Sequence, residues 1–375
     1  MCSCALFSLG ALNLCAGYGG AISVYFGLSA GLQLLDVSFF NLVLQSNVFT
    51  NCVVSSSPNL GGNVYGGAVS LYMGGYSSVF SAIGAAMAAV GDTVVRNVSV
   101  NLSTVQFTSC SATRSSIGSV SANAYGGSFS FYIGAHAWSF STAANSSSAC
   151  GTTTASGVSV SVSNAPSSNC SAVTTTSGGR SFGANSYGGS MSVVYVGAYA
   201  WSGSYAASSS ACGTTTASGV SVSVSNAPSS NCSAATTTSE GSSFGANSYG
   251  GSMSVVYVGA YALSYSNAAG NSSSACGKTT ASGVSVSVSN APSSNCSAAT
   301  TTSEGSSNGG NSYGGSMSVV YVGACAWSSA LGFSTSTSFC DLTRTSELSI
   351  SINTSTFSDS LSLSRKLCCL KLPFK

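Results

Sequence analysis

Charge is what this sequence has least of. Asp, Glu, Lys and Arg together make up 4% of its 375 residues, against a usual share of about 25%. The net charge is +2, so there is no electrostatic footprint for nucleic acid. Acids are scarcest where hydrolysis would need them. No aspartate lies between Asp92 and Asp341, and the only acids in that span, Glu240 and Glu304, hold equivalent places in successive segments. Polysaccharide lyases and hydrolases need a carboxylate pair, or a base with a metal. No enzyme activity is therefore expected, and no catalytic, cofactor-binding or metal residue is assigned. His136 is the only histidine. It stands where Tyr199 and Tyr261 stand in later copies of a repeat, and the Ser-rich tracts offer it no Ser/His/acid set.

Long apolar runs are missing as well. No stretch of about 18 strongly apolar residues reads as a membrane span; residues 21–44 come closest but contain Asp36, Asn41 and several Ser and Gly. The N-terminal "MCSCALFSLGALNLCAG" has no basic residue ahead of its apolar part, which makes it a poor secretion signal. The true start is expected upstream.

What fills the chain is Gly, Ser, Thr, Ala, Val and Asn, a mix suited to strands and turns, with hydroxyl groups in place of charges at the surface. Tyr-Gly-Gly recurs at Tyr18, Tyr65, Tyr125, Tyr187, Tyr249 and Tyr313, at spacings of 47, 60, 62, 62 and 64 residues. A near-constant period of this kind marks a repeat architecture. Units three to five are near copies. Each has a strand-like run after Tyr-Gly-Gly, as in Ser190 to Val196, then "GVSVSVSN" at Gly157, Gly219 and Gly283, then "APSSNCSA" carrying Cys170, Cys232 or Cys296. In the second element Val158, Val160 and Val162 share one face and the intervening serines the other, the pattern of a half-buried strand. The earlier units use "VSFFN" at Val37 and "VSVNLS" at Val98 for this strand, with "FTNC" at Phe49 and "FTSC" at Phe107 after it. "ISINTSTF" at Ile350 repeats the strand once more without the cysteine.

No segment has a helical period; "VFSAIGAAMAAVGD" at Val79 is at most a loop helix. The Ser/Thr/Gly-rich stretches "WSGSYAASSSACGTTTASG" and "TTTSEGSSFGAN" are expected to be loops outside a coil. A seven-residue strand with one apolar face cannot fold alone. Burying each Val contributes about 1.5–3 kcal/mol, while ordering the backbone costs about 1–2 kcal/mol per residue. Stacking each unit on its twin pairs the strand edges and closes the apolar face. It also explains the missing charge, because like charges stacked about 4.8 Å apart repel. The expected fold is therefore all-β, a parallel β-helix (β-solenoid) of about six repeat units with loop insertions. Residues 1–17 form an N-terminal cap or truncated start, 18–357 the repeats and 358–375 a basic, Cys-containing tail. One coil of three strands per unit is favoured. The glycine pair suits a corner that needs positive φ or a close backbone approach.

Gly-Gly-Ala-Val at Gly66 and Gly-Gly-Ala-Ile at Gly19 resemble the GGA(I/L/V) element of polymorphic outer-membrane-protein repeats. Phe49-Thr-Asn-Cys52 and Phe107-Thr-Ser-Cys110 are similar to that family's FxxN element, with Cys in place of Asn. In units three to five Ser replaces both the Phe and the Ala. The resemblance implies a right-handed parallel β-helix exposed at a cell surface and used in adhesion.

Fifteen cysteines, mostly single and outside CxxC pairs, favour an oxidising, extracellular or cell-surface setting. Cys150 with Cys170, Cys212 with Cys232, and Cys276 with Cys296 each lie 20 residues apart. Two arrangements stay open: a disulfide closing this loop in each unit, or an unlinked ladder of buried thiols. Sequons nominate Asn97, Asn101, Asn145, Asn271 and Asn353 for N-glycosylation. Those at Asn169, Asn231 and Asn295 directly precede a cysteine, where a buried turn is expected to block access.

The expected function is a non-enzymatic, secreted or cell-surface structural and adhesive array, with surface glycans or cell-surface proteins as partners and self-association through its edges. Two alternatives are a degenerate β-helix carbohydrate-active enzyme fragment and an ice-binding solenoid. The second is weakened if the Thr runs lie in loops.

Overall fold

A computed structural model describes residues 5–9, 17–18, 22–30, 34–56, 63–82, 86–117, 123–177, 180–182, 185–244, 247–308, 311–313, 317–332, 336–353 and 361–363. These residues form an all-β structure in which every strand pairing is parallel. Pairing follows the repeat. Each strand bonds to its counterpart one unit on, as in Tyr125 with Tyr187, Tyr187 with Tyr249 and Tyr249 with Tyr313. The six Tyr-Gly-Gly segments thereby build one six-stranded sheet. A five-stranded, a second six-stranded and a 15-stranded sheet collect the other segments of each unit. One unit is therefore one layer.

The corners follow from residue chemistry. In the fourth unit the chain turns at Gly188 (φ 56°), kinks at Gly219 (φ 57°), and turns at Asn226 (φ 49°) and Asn231 (φ 52°). Gly and Asn are the residues that enter the left-handed region at least cost. The Tyr-Gly-Gly corner needs both its glycines. Gly188 has positive φ, and a Cβ on Gly189 would run into the backbone of Gly251 and Ser233. This corner is also tied from layer to layer by side chains. Asn123 and Asn185 accept hydrogen bonds from the backbone N–H of Asn185 and Asn247 (2.8 and 2.9 Å). Tyr125, Tyr187 and Tyr249 stack with ring centroids 4.8 Å apart.

The valine strand behaves as its alternation predicts. Val158, Val160 and Val162 are buried, and the serines between them face outward. Val100, Val160, Val222, Val286 and Ile350 form one column. They pack into a core with Phe107, Phe129, Phe131 and Ile133.

The Ser/Thr/Gly-rich stretches are not loops. Residues 201–218 complete the strand Met191–Ser218, and 236–244 complete Ser233–Phe244, with 245–246 outside the described residues. "VFSAIGAAMAAVGD" is likewise extended, in Val69–Ala82 and Ala86–Ser103, with 83–85 outside the described residues. Together these segments make a thin arm. An outgoing limb, Phe129–Thr142, faces a returning limb that opens Ser146–Ser163. Across the gap Ser139 Oγ donates to Cys150 O (2.7 Å), Ser202 to Cys212 O (2.7 Å) and Ser264 to Cys276 O (2.9 Å). The filling is Ala137, Gly151 and their counterparts, so the limbs approach closely. Buried hydroxyls that are bonded in this way avoid most of their desolvation cost. That is why an interior of Ala, Ser and Gly can form.

Pairing also reaches the segments set apart as ends. Ala5–Leu9 pairs with the strand Ile22–Ala30, and Leu361–Leu363 pairs with Met317–Val319. The remaining tail, with Cys368 and Cys369, lies outside the described residues.

Candidate functional site

Two columns of cysteine run through the layers. The inward column comprises Cys52, Cys110, Cys170, Cys232 and Cys296, all buried and unlinked. Each thiol donates to the carbonyl two residues earlier; Cys170 donates to Ser168 O at 3.2 Å and Cys232 to Ser230 O at 3.3 Å. Hydrogen bonds to Cys170, with burial, push the thiols of Cys110 and Cys232 up. Hydrogen bonds with Cys110 and Cys232 hold the Cys170 thiol between them down.

The outer column lies on the returning limb. Here Cys150 is bonded to Cys212, 62 residues away. Cys276 is also disulfide-bonded, and the residue level with it in the next layer is Cys340. Of the two arrangements left open, the disulfides Cys150–Cys170, Cys212–Cys232 and Cys276–Cys296 are not formed, since Cys150 is bonded to Cys212 and Cys170, Cys232 and Cys296 are unlinked. In each pair the first cysteine is half-buried on the returning limb and the second is fully buried in the core. The alternative of unlinked buried thiols describes Cys170, Cys232 and Cys296.

His136 lies in register with Tyr76 and Tyr199, and its ring stacks on Tyr199 at 4.6 Å and 3°. Burial lowers its pKa from 6.5 to about 4, so it is a neutral ring in an aromatic column at pH 7. Burial and the neighbouring phenols likewise push Tyr125 and Tyr187 upward, keeping that stack uncharged. No group of three His, Cys, Asp or Glu side chains is placed to hold a metal among the described residues.

The outer faces carry the recognisable chemistry. On the outgoing limb His136, Trp138 and Phe140 project outward, and Trp138 packs against Trp201 with centroids 4.2 Å apart and 30° between the ring planes. Trp138 and Trp327 are each 38% exposed. Sequence reasoning passed over this aromatic strip, although Trp138, Trp201 and Trp327 recur at matching repeat positions. The valine strand presents Ser159, Ser161 and Ser163 in register with Ser221, Ser223 and Ser225. The returning limb presents Thr152 and Thr154 in register with Thr214 and Thr216.

Among the sequons, Asn97 and Asn145 are exposed and Asn101 is half-buried. Asn169, Asn231 and Asn295 are exposed corner residues with positive φ rather than sites blocked by a buried turn. The side chains of Asn271 and Asn353, and of Glu240 and Glu304, lie outside the described residues. No helix among the described residues is long and apolar enough to cross a membrane.

Neither known protein families, nor curated proteins, nor solved structures include a match to this chain.

Proposed function

We propose that the parallel sheets close into a β-solenoid and that this solenoid is a non-enzymatic adhesive array at a cell surface or outside the cell. The observation that carries the proposal is the pairing of each strand with its equivalent one unit on, through the arm, the valine strand and the Tyr-Gly-Gly corner alike. An outward residue is thereby repeated at each layer, about 4.8 Å apart. Rows of Ser and Thr hydroxyls and the Trp138–Trp201 strip meet a repetitive, uncharged surface many times over. Many weak contacts made together hold far better than any one alone. The Cys150–Cys212 disulfide supports an oxidising compartment. Surface glycans and cell-surface proteins are the partners this chemistry suits, and Ala5–Leu9 and Leu361–Leu363, each paired on one side among the described residues, are edges for self-association.

The test removes residues 187–248, one full period by the register of Tyr187 on Tyr249, and then two periods. Binding to a glycan array and to intact cells falls stepwise with layer number under this proposal. Absence of binding by the intact chain would reject it.

Ice binding is a second reading, favoured by one observation. Thr152, Thr154, Thr214 and Thr216 lie in strands and form a Thr-x-Thr grid on two adjacent layers, where loops had been expected. Thermal hysteresis of the purified chain decides it.

A further inference from the structure

A groove of about 610 Å³ runs along the short strands between the corners at Asn164 and Asn169 and their counterparts. Its two ridges are a proline column, Pro166, Pro228 and Pro292, and a hydroxyl column headed by Ser168 and Ser230. Gln106 and Phe107 close one end. The groove spans the units in which Ser167, Ser229 and Ser293 replace the inward Phe49 and Phe107 of earlier units.

We infer that this groove binds one extended chain of a neutral glycan, an assignment that rests on the adhesive reading and gives it a site. Three features select that ligand. None of the residues lining the groove is ionisable, so an anionic or cationic polymer would be desolvated there without a partner. One ridge is a row of apolar pyrrolidine rings and the other a row of hydroxyls, which complement the apolar face and the hydroxyl rim of a sugar ring. Both ridges repeat at each layer, roughly 4.8 Å apart, so a polymer with a comparable residue step makes the same contact in each.

A peptide strand is disfavoured by the backbone. Proline has no N–H to offer, and the carbonyls of Pro166, Pro228 and Pro292 already accept from Phe107, Ser167 and Ser229. No free edge is left for strand addition at this face. The groove volume falls within the range of about 300–1,000 Å³ typical of ligand sites.

Calorimetry with cellohexaose and mannohexaose tests the inference, with hexagalacturonate as the charged comparison. The wild-type chain binds at least one neutral hexasaccharide and not the charged one. Ser230→Trp, which fills the groove midway, loses at least tenfold in affinity. Ala144→Trp, at an exposed turn position between the two limbs and outside both the groove and the hydroxyl rows, loses none. Substituting Ser168, Ser230 and Ser294 by Val together keeps strand-compatible side chains, removes the hydroxyl row and gives the same loss. That variant serves if the tryptophan disturbs folding. If the wild type binds and both groove variants bind equally well, the groove assignment fails while the adhesive reading stands. Binding of hexagalacturonate in preference overturns the neutral ligand class. If neither neutral hexasaccharide binds while cells and arrays are still bound, the groove fails alone; if those are not bound either, both fail.

Discussion

Cys150 and Cys212 occupy the same place in consecutive layers, and the disulfide between them ties one layer to the next across 62 residues of chain. A crosslink over a loop of that length stabilises by up to about 4 kcal/mol. Cys150→Ser with Cys212→Ser is expected to lower the denaturant midpoint by an amount equivalent to roughly 2–4 kcal/mol, and reductant lowers the midpoint less in the double variant, whose Cys276 disulfide remains, than in the wild type. Non-reducing peptide mapping should join the Cys150 peptide to the Cys212 peptide and leave Cys170 alkylatable after unfolding.

The glycine corners separate two kinds of position. Gly188 has φ 56°, and a Cβ there would strike the Met191 carbonyl. Gly188→Ala should therefore cost about 2 kcal/mol or more. Gly219 has φ 57° but only ordinary contacts around a built Cβ. In that column an earlier layer already carries Asn97, at φ 50°. Gly219→Asn should change stability by no more than about 0.5 kcal/mol. Paired thermal melts of the two variants check this.

His136 makes stability depend on pH. Its pKa is lowered from 6.5 to about 4 by burial, so the folded state disfavours the charged ring. Its contribution is complete above pH 6.5 and is lost as pH falls toward about 4. The loss is on the order of 2 kcal/mol, discounted for partial exposure. His136→Tyr, which restores the residue of the neighbouring layers, should flatten that part of the profile in denaturant titrations.

Much of this arrangement was legible in the residues. The alternation from Val158 to Val162 and the recurrence of Tyr-Gly-Gly sufficed to place one strand, one corner and the layer period. The arm was not legible, because its inward positions are Ser139, Ser202, Ala137 and Gly151. A hydropathy pattern cannot separate a buried Ser from an exposed one; what buries Ser139 is its bond to Cys150 O. The cysteines misled for a related reason. Cys150 and Cys170 are near in sequence, but one lies on the returning limb and the other in the core, whereas Cys150 and Cys212 are far in sequence and adjacent in space. The proline groove is not legible in the repeated "APSSNCSA", whose Pro166 and Ser168 suit an ordinary turn until their columns are seen in register.

The scarcity of charge is testable as a consequence of stacking. Ser161, Ser223 and Ser287 form one outward column. A single Ser223→Asp should be nearly neutral. Aspartate at all three positions should cost roughly 1–3 kcal/mol more per adjacent pair than the single changes add up to, with partial recovery in high salt. Additive effects would mean that the three positions are not neighbours.

Spin labels at Ser161 and Ser223 test the layer register most directly, through Cys substitutions in a background where the native free thiols are blocked or replaced. The pairing places their backbones on adjacent strands, about 5 Å apart. Strong dipolar broadening of the doubly labelled chain, absent from either single label, is the expected result. Spectra that equal the sum of the two singles would contradict the stack of units on which every other conclusion rests.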